Sequence, residues 1–191
     1  MTCIVGLEHE GIVYIGGDSA GVAEYDICTR SDEKVFFNDE VLMGFTSSFR
    51  MGQLLRYAFT VPEQSNKKED MAYLVTDFVD AIRLCYREKG FIKKENEQEE
   101  GGTFLLGYRG HLYVIEGDFQ VGKPGEGYAA VGCGANIALG AMYASQSWKD
   151  PELRIRTALE AAVAHSAGVR PPFTVLKLES VSTVQQGKRK R

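Results

Sequence analysis

The chain has 191 residues, 44% of them hydrophobic and 25% charged, with a net charge of −4. That is enough for one domain with a sizeable core, and the acidic balance argues against a general nucleic-acid binder. No apolar stretch approaches the roughly 18 residues of a membrane span, and no basic-then-apolar leader opens the chain.

In chain order, residues 2–8 and 11–17 are β-rich runs joined by a Glu10-Gly11 turn, which predicts a hairpin. Two more β-type runs follow at 33–37 and 41–47. Met51, Leu54, Leu55 and Ala58 then recur at helical spacing within 48–59. A polar loop at 62–68 leads to a second helix over 70–88, with Met71, Leu74, Phe78, Ile82 and Cys85 on one face. Residues 93–102 are charged and end in glycine, and read as an exposed loop. Further β-runs fall at 103–109 and 111–116, around Arg109-Gly110, and at 128–132. Gly134 opens an alanine-rich helix through about Ser147, and Asp150-Pro151 caps another to about Ala167. A last strand at 173–179 precedes a basic tail, so residues 1–180 form one domain and 181–191 a solvated, flexible end. The tail could also dock an acidic partner.

Strands, two helices, strands, two helices and a strand fit a four-layer αββα sandwich in the α+β class, because long apolar strands need both faces covered. Cys3, Cys28, Cys85 and Cys133 show neither CxxC pairing nor histidine at metal-ligand spacing. They read as free thiols in a reducing, cytoplasmic compartment, with no metal called for.

The chemistry concentrates at the N-terminus. Removal of Met1 leaves Thr2 with a hydroxyl nucleophile and a free α-amine, whose unperturbed pKa of about 7.7–8.0 suits a general base. Asp18 and Lys34 follow at equal steps of sixteen, each inside a strand run. A lysine beside the amine holds it neutral, and a carboxylate holds the lysine charged. An Asp18–Lys34 pair is also what two stapled strands require, so Thr2 is the discriminating member.

Two other motifs compete. Gly17-Asp18-Ser19-Ala20-Gly21 matches the G-x-S-x-G of serine esterases, although only about 16 residues precede it. Gly132-Cys133-Gly134 looks like part of a dinucleotide fingerprint, but the third glycine is misplaced and no acidic residue follows.

The opening TCIVGLEHEGIVYIGGDSA, then EKVFF, then VLMGFTSSFRMGQLLRYAF, resembles proteasome β-subunits and the bacterial HslV protease, which are N-terminal-nucleophile hydrolases. The likeness runs from Thr2 to about Leu178 and is strongest over the first 60 residues. It implies the αββα fold, a threonine-type peptidase or amidohydrolase without cofactor, and a self-compartmentalising homo-oligomeric ring. It also implies peptide or unfolded-protein substrates and an ATPase unfoldase as partner. With only Met1 ahead of the threonine, the start is closer to HslV than to most proteasome β-subunits. By the same resemblance, Thr2, Asp18 and Lys34 are catalytic and the backbone N–H of Ser47 serves the oxyanion. Cys133 stands where the family has a supporting serine, and Ser166 approximates a second one. Ala20, Gly21 and Val22 would pair with substrate backbone, while Phe45 would floor the pocket before the scissile bond and favour a small side chain there. Ser47-Ser48 replaces the family's paired glycines. That departure, with Cys133 and the 164–168 region, leaves open a non-catalytic shell or assembly protein that kept the fold.

Overall fold

The computed structural model describes residues 1–95 and 98–180. Two antiparallel sheets carry it. The first is ordered β12-β1-β2-β13, from β1 (Ile4–His9), β2 (Ile12–Gly17), β12 (Tyr128–Val131) and β13 (Thr174–Glu179). The second runs β11-β10-β9-β6-β5, from β5 (Val35–Asn38), β6 (Val41–Phe45), β9 (Phe104–Tyr108), β10 (His111–Ile115) and β11 (Val121–Gly122). The hairpin expected around Glu10-Gly11 is β1–β2, with Ile4 opposite Gly17 and His9 opposite Ile12. Glu10 takes a positive φ of 51° and Gly11 one of 75°.

Alternation along the strands sorts side chains into three apolar clusters. Cys3, Val5 and Leu7 face Ala138 and Met142 of helix α4 (Ala135–Ala144) and Ile155, Ala158 and Leu159 of α5 (Pro151–His165). Val41, Met43 and Phe45 join the cluster of helices α1 (Phe49–Tyr57) and α3 (Val79–Glu88). Ile4, Val13 and Ile15 of the first sheet meet Val35, Leu42, Leu105 and Leu112 of the second. The sheets come so close that a Cβ on Gly44 would lie 2.6 Å from Ile4 Cγ2. A methyl group there would push them apart.

The helices start where their capping residues dictate. Ser48 Oγ accepts the N–H groups of Arg50 and Met51, and Asp150 Oδ1 those of Glu152 and Leu153, with Pro151 in the first turn. The 70–88 helix is interrupted: α2 (Asp70–Tyr73) passes through a π-helical turn, Leu74–Phe78, into α3.

Three segments depart from the sequence expectation. The 93–102 stretch contains a short hairpin, β7 (Lys93–Glu95) with β8 (Gln98–Glu100), rather than loop alone. Glu99 fastens it to α3 through Arg83 and Arg87, a long-range ion pairing that local composition does not encode. Ala20–Ala23 forms a strand, β3, paired with β4 (Asp26–Thr29), although its small and charged residues carry no strand pattern. The two-residue β11 is likewise too short to announce itself in sequence. The basic tail, 181–191, lies outside the described residues.

Candidate active site

The β1–β2 register carries Asp18, one residue beyond β2, alongside Cys3, and the Asp18 N–H reaches the Cys3 carbonyl at 3.3 Å. Its carboxylate is buried yet has four donors. Oδ1 accepts Lys34 Nζ at 2.7 Å and the Cys3 N–H at 3.0 Å, while Oδ2 accepts the N–H of Ala20 at 2.8 Å and of Arg170 at 3.2 Å. Such charge-assisted bonds offset the cost of removing a carboxylate from water. Lys34, just before β5, is only 2% exposed. Burial pulls its ammonium below the usual lysine range, and the attraction of Asp18 opposes that shift. The lysine therefore sits beside a carboxylate oxygen that also binds the residue next to Thr2.

Thr2 is buried at the entry to β1. Its N–H donates to Cys133 Sγ at 3.3 Å; the thiol lies 3.4 Å from the Thr2 carbonyl and 3.5 Å from Ser166 Oγ. Thr2, Cys133 and Ser166 thus meet although 131 and 33 residues separate them. The turn before α4 makes this approach feasible. Gly132 has φ +99°, and a Cβ there would fall 2.3 Å from the Thr2 carbonyl oxygen. The Gly134 N–H bonds the same carbonyl at 3.2 Å. In this form the Thr2 hydroxyl donates to the carbonyl of Met1, whose side chain rests against Gly168 and Cys133. Cys3, next in the chain, is pushed up to about 12 by burial, so it is an inert thiol at neutral pH.

A cleft of about 540 Å³ opens beside Met1, bounded by Thr46, Ser47, Thr103 and Glu116 on one side and by Ala130 to Cys133 and Ala135 on the other. Ser47 has φ +66°, the left-handed region where a side chain costs about 1–2 kcal/mol. Its Oγ accepts the Thr103 N–H at 3.1 Å, which helps hold it there, and its own N–H has no acceptor among the described residues. Ser48, the second serine of the pair, is occupied as the cap of α1. Ala20, Gly21 and Val22 lie on β3, where Ala20 and Gly21 are buried. Phe45 is 5% exposed and packs against Phe36, Phe49 and the bare backbone of Gly52 in the helix-side core, while the cleft wall is formed by its neighbour Thr46.

Sequence reasoning does not single out Thr46, Thr103 or Glu116. The pairing of β6 with β9, which opposes Phe45 to Phe104, is what joins the first two, and no local motif signals it. The competing G-x-S-x-G reading fares poorly. Ser19 lies between strands β2 and β3 and donates to the Pro172 carbonyl at 2.6 Å, whereas a nucleophile elbow turns from strand into helix. Among the described residues no cluster of His, Cys, Asp and Glu could hold a metal, and no helix is long and apolar enough to cross a membrane.

No protein-family description matches the chain, and no curated protein matches it in sequence. Solved structures do match in shape. BPH from Thiobacillus denitrificans in complex with epoxomicin superposes with a TM-score of 0.78 at 17% identity, over 95% of this chain and 100% of that one. BPH without that ligand gives 0.79 at 16% identity, over 94% and 99%. Eukaryotic HslV from Trypanosoma brucei gives 0.66 at 21% identity, over 93% and 99%. The chain therefore has the fold of HslV and BPH along nearly its whole length, as its resemblance to HslV implied.

Proposed function

We propose that this chain is a threonine-type N-terminal-nucleophile hydrolase of amide or peptide bonds, folded as a four-layer αββα sandwich. The layering is supported by three apolar clusters, one between the sheets and one on each outer face. The observation that carries the chemistry is the single Asp18 oxygen bonded both to Lys34 Nζ and to the amide next to Thr2.

After removal of Met1, Thr2 Oγ1 attacks the substrate carbonyl carbon while the Thr2 α-amine accepts the hydroxyl proton. Lys34 keeps that amine neutral through its positive charge, and Asp18 fixes Lys34. The oxyanion is met by the Ser47 N–H, which has no competing protein acceptor. Collapse expels the leaving amine, which takes the proton from the Thr2 ammonium and leaves an ester on Oγ1. Water, deprotonated by the same amine, attacks that ester, releases the acid and restores the threonine. Cys133 and Ser166 hold the amine in place. Substrate backbone lies between the segment Ala20, Gly21 and Val22 and the Ser47 loop. No cofactor takes part.

Such a site cuts indiscriminately, so the reading includes a homo-oligomeric ring in the cytoplasm, fed unfolded protein by an ATPase unfoldase. BPH, which shares this fold, is described in complex with epoxomicin, and that guides the test. Intact mass should show loss of Met1, and a peptide epoxyketone or boronate should add covalently to the wild type but not to Thr2→Ala. Label retained by Thr2→Ala would exclude the assignment. A second reading, a non-catalytic shell protein, draws on two observations: a serine in the left-handed turn at 47, and a thiol where a hydroxyl would bond the amine. A wild type that keeps Met1 and takes no label would favour it.

A further inference from the structure

We propose that the cleft beside Thr2 selects a cationic side chain, lysine or arginine, immediately before the scissile bond, and that Glu116 determines this choice. The inference rests on the hydrolase reading and names its substrate class. It replaces the small side chain that a bulky Phe45 floor would favour, because Phe45 packs on Gly52 in the core and Thr46 takes the wall position.

The two walls of the cleft differ in chemistry. One is apolar and short, from Ala130, Val131, Gly132 and Ala135. The other is polar: Thr46 N–H bonds the Thr103 carbonyl at 3.1 Å, Ser47 Oγ accepts the Thr103 N–H, and Thr103 Oγ1 lies 3.3 Å from Glu116 Oε2. Glu116 is the one charged side chain on the lining, and it has no ion-pair partner among the described residues. A lysine or arginine is built for this arrangement, since its methylene stem covers apolar wall while its charged end meets the carboxylate. An acidic side chain would meet like charge, and an apolar one would leave Glu116 desolvated without compensation.

The carboxylate is also held in position. Glu116 follows β10 in a tight turn, its N–H bonded to the Gln120 carbonyl and its carbonyl to the Phe119 N–H, both at 2.9 Å. The adjoining Gly117 carbonyl accepts the Gly101 N–H at 2.9 Å. The near end of the cleft is registered to Thr2 through Gly132, where a Cβ would lie 2.3 Å from the Thr2 carbonyl oxygen and 3.1 Å from Thr46 Oγ1.

The test uses full-length protein lacking Met1 and fluorogenic peptide amides that differ only in the residue before the cleaved bond: Lys, Arg, Leu, Ala or Glu. Wild type should cleave the Lys and Arg peptides with kcat/KM at least about ten-fold above the Leu and Glu peptides, a preference that shrinks as salt rises. In Glu116→Gln the Lys-to-Leu ratio should fall by about ten-fold, and in Glu116→Lys the preference should move to the Glu peptide. Labelling of Thr2 by a leucine epoxyketone reports, in each variant, that the site is assembled. Labelled protein with equal or apolar-biased cleavage overturns the specificity inference and leaves the hydrolase reading standing. So does a Glu116→Gln variant that slows every peptide alike, which would mark a structural residue. Absence of both label and turnover in the wild type overturns the reading and this inference with it.

Discussion

Two carboxylates in this chain each gather cations, and they do so at opposite ends of the solvent scale. Asp18 holds Lys34 and three backbone N–H groups with both charged side chains at 1% exposure or less. Glu99 holds Arg83 and Arg87, whose side chains remain 35% and 47% exposed, and ties a short hairpin to a helix. Water replaces the contacts of the second cluster if they break, but it cannot reach the first. A buried pair is therefore weak evidence of stabilisation and strong evidence of something retained, since apolar residues of similar volume would hold two strands together as well. At Glu99 a docking role is sufficient explanation; at Asp18 the neighbouring Thr2 supplies another.

That contrast can be broken by substitution. Lys34→Ala leaves Asp18 charged and without its ammonium, and should lower unfolding free energy by about 3–5 kcal/mol in urea titrations. A loss under about 1 kcal/mol would mean that water enters the site. The next effect concerns pH. Cys3 is fully buried, and its thiol is raised from 9.0 to about 12, so above pH 9 the folded state binds more protons than the unfolded one. Stability from this group is complete below pH 9 and is lost as pH rises toward 12. Between pH 8 and pH 10 wild type should lose about 1 kcal/mol more than Cys3→Ala. Comparing the two slopes cancels the contribution of Lys34, which runs the other way. Equal slopes would show that the thiol is hydrated. The smallest change is expected for Glu99→Gln: the melting temperature should barely move in moderate salt, because exposed arginines recover their hydration. A large drop would show that the hairpin is integral to the core.

Much of this is legible in the chain. The β1–β2 hairpin follows from Glu10-Gly11 between apolar runs, α1 from the spacing of Met51, Leu54 and Leu55, and α5 from Asp150-Pro151. The steps from Thr2 to Asp18 to Lys34 also mark residues that the structure gathers at one end of the sheets. Other parts are not legible. β3 and β4 carry no alternating apolar pattern, and the hairpin at Glu99 depends on arginines at least twelve residues away. The Ser47-Ser48 pair shows how local reading divides: Ser48 is recognisable as a cap, but the left-handed turn at Ser47 is fixed by its bond to Thr103, on another strand.

The sequence by itself determined the element types, the hairpin turns, the helix caps and the set of reactive groups near the start, because these depend on periodicity and on contacts a few residues apart. Tertiary structure alone decided which groups share an environment: that Cys133 faces the Thr2 nitrogen across 131 residues, that Arg170 lends its amide to Asp18, and that Glu116 looks into the cleft. Those placements are set by strand register and by the close approach of two sheets, where a single missing Cβ, as at Gly44 or Gly132, decides what can touch.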